Sequence, residues 1–248
     1  MPLAAIVPAA FLTLILLEFL VPARPLVREP WWRLRGLAFF AVSGLVATGV
    51  PLLVGDFARH HRLLDLERLG ALGGAALAFV VTDLVLYAWH RARHEVPLLW
   101  RTFHQLHHSA ERVDVFGAFY SHPLDLLGVS LAGAAVATML LGVGAEAAAL
   151  AGLASAGCAM FQHANLRTPR WLGYVIQRPE SHSVHHARGV HAGNYANLPL
   201  WDLAFDTFSN PERFEPEAGF YDGASRRVAA MLVGVDVSSP PARRRISS

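Results

Sequence analysis

The sequence predicts an all-α fold: an integral membrane helical bundle of about five spans, with a histidine-rich helical cap on its cytoplasmic side. Three observations predict it. Of the 248 residues, 54% are hydrophobic and only 16% are charged, a balance that suits hydrocarbon better than water. Four stretches are long and apolar enough to cross about 30 Å of bilayer, which takes roughly 20 helical residues each. The 13 histidines gather mostly beside the ends of those stretches and not within them.

The first stretch, residues 2–21, lacks a basic start, and Arg24-Pro25 follows it without a small-residue cleavage site. It is therefore expected to stay as a helix and not to be removed as a secretory signal. The second covers 37–54 and the third 69–89. The fourth, 124–161, is too long for one upright helix, and Gly142-Val143-Gly144 near its middle marks a turn, so it reads as a hairpin of two spans. Beyond residue 210 the chain reads as a C-terminal cytoplasmic segment, 211–248. Its tail from Ser238 to Ser248, with Arg243-Arg244-Arg245, has the composition of disorder.

All 21 basic residues are Arg, so their positions carry the information. Arg24, Arg28, Arg33 and Arg35 follow the first span, Arg91, Arg93, Arg101 and Arg112 the third, and Arg167, Arg170, Arg178 and Arg188 the fifth. The positive-inside rule places those regions in the cytoplasm and the N-terminus outside, in an inner or cytoplasmic membrane. The loop after the second span departs from the rule with Arg59, Arg62 and Arg68, balanced by Asp56, Asp65 and Glu67. Cys158 is the only cysteine, which excludes disulfides, Cys-ligated zinc and iron–sulfur clusters within one chain. No nucleic-acid partner is expected, and the sequence leaves the oligomeric state open.

Nine histidines fall in four groups: His90 and His94; His104, His107 and His108; His163; and His182, His185 and His186. Positions i, i+3 and i+4 of a helix share a face, so each HxxHH triplet is expected to aim three imidazoles at one point. A lone HxxHH carries little information, because surface helices and interfacial histidines produce it too. All four groups at one membrane boundary exceed what a single ion can use, which points to two metals in a nest of neutral nitrogen ligands. A bis-His haem site would need single histidines within opposing spans.

Asp83 is the intramembrane acid singled out here, on the helix stripe of Tyr87, His90 and His94. It is expected to orient an imidazole by accepting its other N–H; a bond to a neighbouring helix is the blander alternative. His122 is a candidate tenth ligand or a donor to one, and His191 is left open. His60 and His61 read as solvated loop residues on the far side.

These residues, in this order, resemble the fatty acid hydroxylase and sterol desaturase superfamily. The resemblance rests on Asp83-x3-Tyr87-x-Trp89-His90-Arg91-x2-His94, His104-Gln105-Leu106-His107-His108-Ser109 and Ser121-His122-Pro123-Leu124-Asp125. Gln162-His163-x-Asn165, His182-Ser183-Val184-His185-His186, and Asn194-Tyr195-Ala196-Asn197 followed by Trp201-Asp202-x2-Phe205 complete it. It implies N-terminal membrane helices over 1–68, a catalytic domain over 69–210, two iron ions as cofactors with zinc able to replace them, and O2 as co-substrate. A membrane lipid, such as a sterol-like or fatty acyl substrate, would be hydroxylated or desaturated, with Asn194 as a further candidate catalytic residue. Asp206 stands where the family usually has Gly, and Arg167 where fatty acid 2-hydroxylases carry another His, so the chain looks closer to the sterol-oxidase-like branch. No haem domain, flavin motif or cysteine set is present to deliver electrons, which implies a separate reductase. The alternative reading is a membrane metal-handling protein, for transport or storage, built on the same histidines.

Overall fold

The computed structural model describes residues 2–240. Five long helices, α1 (Ile6–Leu20), α2 (Trp32–His60), α3 (Gly70–Glu95), α4 (Pro123–Ala134) and α5 (Ala145–His163), form the bundle. Among the described residues there is no strand, only an isolated bridge between Ala187 and Ala218. Among the described residues, four helices are long and apolar enough to cross a membrane: Leu3–Leu20, Trp32–His60, Glu67–Glu95 and Pro123–Leu140. The protein is an integral membrane protein of all-α architecture. The expected fifth span exists as α5, but its alanine-rich sequence, bounded by Glu146, Gln162 and His163, is less apolar than the other four.

The local sequence explains where the helices stop. Pro97 follows α3 and forces Val96 into an extended conformation, which ends the helix at Glu95. Helix α4 starts with His122 as its cap, Pro123 in the first turn and Asp125 behind it, and continues through a π-helical turn, Ala135–Leu140. The turn into α5 runs through Gly142 at φ +60, where a Cβ would lie 2.0 Å from the Leu64 carbonyl oxygen, so only glycine fits. The far-side loop between α2 and α3 is fastened there: Leu64 N–H donates to Leu140 O at 3.1 Å and Leu66 N–H to Leu141 O at 3.2 Å.

Helix α3 packs against α5, and α2 against α4. The first pair runs parallel and close, because Gly74 faces Ala147 with room for no side chain: a Cβ there would lie 2.9 Å from that of Ala147. At the other end of the bundle, Phe11, Trp32, Leu106, Phe116, Tyr120, Met160 and Met231 share one buried core that joins the membrane helices to the cap. The chain after residue 210 is part of this cap. Gln105 donates to Val235 O at 2.9 Å and accepts from Val237 N–H at 3.1 Å, and Trp100 Nε1–H donates to Ser238 Oγ at 3.0 Å. The segment packs as far as Ser238, the first residue of the tail expected to be disordered, because it covers the back of a histidine-bearing helix; the rest of that expectation, Arg243 to Arg245 included, falls largely outside the described residues.

Candidate metal centre

His90 and His94 sit one turn apart at the end of α3. After Pro97 the chain forms a π turn, Trp100–His104, and then a single α turn, Gln105–His108. His163 ends α5, and α6 (Pro179–His185) carries His182 and His185, with His186 just beyond. All nine side chains come together, in two groups. One holds His90, His94, His104, His108 and His185; the other holds His107, His163, His182 and His186, and within each the candidate ligand atoms lie within 4.8 Å of one another.

The two HxxHH triplets do not each converge on one point, as the sequence reading expected. His104 and His108 enter the first group while His107 enters the second, and His182 and His186 enter the second while His185 enters the first. The helical period explains the division. At 3.6 residues per turn, i and i+4 differ by about 40° but i+3 and i+4 by about 100°. Each triplet therefore straddles both groups and fixes them side by side, with the His108 and His186 rings stacked at 4.3 Å.

The second ring nitrogen of most of these histidines is committed. His90 Nδ1–H donates to Tyr195 O at 2.7 Å, His163 Nδ1–H to Ala159 O at 2.7 Å, His185 Nδ1–H to Gly193 O at 2.6 Å and His107 Nδ1–H to Tyr120 O at 3.3 Å. His104 Nδ1 lies 3.1 Å from Asp125 Oδ2 and 3.0 Å from Nη1 of buried Arg93, which pairs with the other oxygen of that carboxylate. The four carbonyl bonds fix the tautomers of His90, His163, His185 and His107 and leave Nε2 of each with a bare lone pair.

Those lone pairs face one another. His107 Nε2 and His163 Nε2 are 3.2 Å apart although both protons sit on Nδ1, so the contact is not a hydrogen bond. The Nε2 atoms of His163 and His182, His182 and His186, and His104 and His108 lie equally close, at 3.2, 3.1 and 3.1 Å, while Nδ1 of His182 and His186 meets no partner among the described residues. Two nitrogens about 2.1 Å from a common cation at 90–109° would be roughly 3.0–3.4 Å apart. Nε2 of His90, His94 and His185 is also buried with no protein partner. The donor set therefore fits a cation in each group.

Burial adds to this. It pulls His104, His107, His108, His182 and His186 well below the ordinary histidine range, helped by neighbouring imidazoles and, at His104 and His107, by Arg93. Burial likewise pulls His185 down to about 3. All are neutral at physiological pH, the form that ligates a metal.

The other predicted residues lie around the centre and not in it. Asp83 touches no imidazole: its two oxygens accept from Asn197 N–H and Leu198 N–H, both at 2.9 Å, so it holds the loop whose Tyr195 carbonyl holds His90. His122 caps α4, accepting from Leu124 N–H at 3.1 Å through Nδ1 and donating to Leu232 O at 3.2 Å through Nε2, which leaves neither nitrogen for a metal. Asn194, at φ +51, is buried and braces two strands of chain, donating to Ser181 O and accepting from Ser209 N–H. His191 sits beside the first group, its Nδ1 3.2 Å from that of His108. His60 and His61 are exposed on the far side.

Asp125 and Glu18 were missed as functional side chains. Asp125 stood in a quoted motif without a role. Glu18 is a second acid in an apolar span, the same signal that singled out Asp83; it accepts from Val115 N–H at 2.9 Å and from Asn165 N–H at 2.7 Å, two residues beyond His163.

The fatty acid hydroxylase family profile matches residues 75–207. The chain is 29% identical over 181 residues to an ornithine lipid hydroxylase, OlsE, of Rhizobium tropici, covering 69% of this chain and 54% of that protein. It is 29% identical over 139 residues to a cholesterol 25-hydroxylase-like protein of Danio rerio, 53% of this chain and 54% of that one. It is 26% identical over 152 residues to the sphingolipid C4-hydroxylase sur2 of Schizosaccharomyces pombe, 56% and 49%. The chain spans about half the length of the curated relatives it matches, and no solved structure matches it. The profile covers every one of the nine converging histidines and more than half of the chain, and the chain belongs to the fatty acid hydroxylase family.

Proposed function

We propose that this protein is an O2-dependent lipid hydroxylase in which His90, His94, His104, His108 and His185 hold one iron ion and His107, His163, His182 and His186 a second. The observation that carries the proposal is the division of nine neutral imidazoles into two groups whose Nε2 lone pairs converge at the membrane boundary. Family membership and relatives named as hydroxylases of ornithine lipid, cholesterol and sphingolipid support the substrate class. Iron bound there would supply the oxidising power that an unactivated C–H bond requires and that no side chain provides.

The chain's own residues do the rest. Asp125, held by Arg93, and the carbonyls of Tyr195, Gly193, Ala159 and Tyr120 keep five of the nine rings aimed, His104, His90, His185, His163 and His107, so that part of the ligand set needs little rearrangement to bind metal. Burial of the second group and of His104, His108 and His185 in the first limits bulk water at the place where a C–H bond would be broken. A separate reductase supplies electrons from the cytosol, and the Arg-bearing end of the bundle faces that compartment.

The test is ¹⁸O2 labelling in membranes carrying the wild type or His108→Ala, with a reductant and lipid mass spectrometry. A labelled lipid alcohol formed only by the wild type is expected. A new alkene without label would move the reaction to desaturation. No His108-dependent lipid change under any reductant would favour metal handling.

A further inference from the structure

One carboxylate stands at an unexpected depth. Asp83 lies six residues before Trp89 on α3, roughly 9 Å below the end of the apolar part of that span at 1.5 Å per residue. Its partners are not on a neighbouring membrane helix. They are backbone N–H groups of a loop that follows the last histidine motif by about ten residues.

The N–H groups of residues 195–198 are all satisfied by side chains. Four consecutive N–H groups, of Tyr195, Ala196, Asn197 and Leu198, meet four carboxylate oxygens: Asp202 Oδ1 at 2.8 Å, Asp202 Oδ2 at 3.0 Å, Asp83 Oδ1 at 2.9 Å and Asp83 Oδ2 at 2.9 Å. The loop therefore has no backbone donor at 195–198 that needs water. Irregular backbone inside hydrocarbon is tolerated only where every polar group has a protein partner.

The segment that follows is apolar on its outer side. The single helix Pro199–Ala204 packs on α3, and Phe205 stacks on Tyr87 of α3 at 5.1 Å, one turn beyond Asp83. Leu200, Leu203 and Phe205 are nevertheless 51, 53 and 49% exposed. The turn Arg170–Tyr174 packs beside this helix and exposes Trp171 and Tyr174, the residue types that sit where headgroups meet hydrocarbon.

We propose that residues 195–205 form a re-entrant segment that enters the lipid leaflet beside α3 on the side of the histidines, with Leu200, Leu203 and Phe205 in contact with acyl chains. Asp83 and Asp202 satisfy the backbone that this placement removes from water. The occupant of the exposed face is the hydrocarbon already lining α3, with which the face is continuous. The same loop supplies the carbonyl of Tyr195 to His90, so the metal centre is fastened to an element seated in the membrane and not only to the cytoplasmic cap. The inference rests on α3 spanning a membrane and is independent of the reaction.

The test places a nitroxide on Leu203→Cys in the full chain, reconstituted in phosphatidylcholine vesicles, with Leu200→Cys as a second site. Cys158 is buried, and the wild type labelled in parallel gives its background. Relaxation by O2, which partitions into lipid, is compared with relaxation by a water-soluble Ni(II) chelate. Leu45→Cys on the exposed mid-face of α2 serves as the lipid reference and Glu212→Cys as the water reference. The O2-to-Ni ratio at 203 and 200 is expected to match that at 45 and to exceed that at 212 several-fold. A ratio matching 212, or a label shielded from both reagents, would overturn the proposal, whether or not the chain hydroxylates lipid.

Discussion

Asp125 and His122 stand three residues apart at the head of α4, one bonded to a candidate ligand and the other only to backbone. Asp125→Asn keeps the shape but removes the charge beside His104 Nδ1, and is expected to weaken metal binding by about 10–100-fold in a chelator competition. His122→Ala should leave that affinity unchanged while costing about 1 kcal/mol in thermal unfolding through the lost cap. A second prediction concerns pH. His185 and His191 are pulled down to about 3 and about 4 in the folded chain, so between those values and the ordinary 6.5 the unfolded chain binds more protons. The metal-depleted protein should thus be stable above pH 6.5 and lose about 1.4 kcal/mol per such histidine for each pH unit below it. A melting temperature that stays flat between pH 7.5 and 5 would contradict this.

At the scale of elements, glycines set how closely the pieces approach. Gly36 of α2 lies against the turn Val115–Gly117, where a Cβ would be 2.7 Å from both the Cβ and the carbonyl oxygen of Phe116. Gly36→Ala should therefore push α2 from the cap and cost about 1–3 kcal/mol, read as a melting shift of a few degrees. Gly44→Ala, which meets nothing within 4 Å in the interior of the same helix, should not lower it. The helices themselves were legible in the sequence because hydropathy and the Pro and Gly punctuation act locally. The division of each triplet between two metal groups follows from the same period but needs the relative rotation of α3, α5 and α6, which no local pattern contains. Asp83 shows the limit most clearly. Its depth and stripe were readable, yet its partners, Asn197 and Leu198, are more than a hundred residues away and are donors every residue type carries.

For the whole molecule, the alternating course of α1 to α5 puts every histidine group and most arginines at one end. A reporter inserted in the 61–66 loop should be active only outside the cytoplasm, and one fused after Ser248 only inside it; the reverse pattern would put the centre away from cellular reductants. The fold class was legible because composition states the solvent. The packing of the chain past residue 210 was not, since its contacts with Gln105 and Trp100 are long-range. If the nine histidines make two separate metal sites, elemental analysis of the purified chain should find two metal ions per chain in the wild type, one in His94→Ala with the second group intact, and one in His163→Ala with the first intact. A wild type that saturates at one metal, or two metals retained in both variants, would contradict that reading.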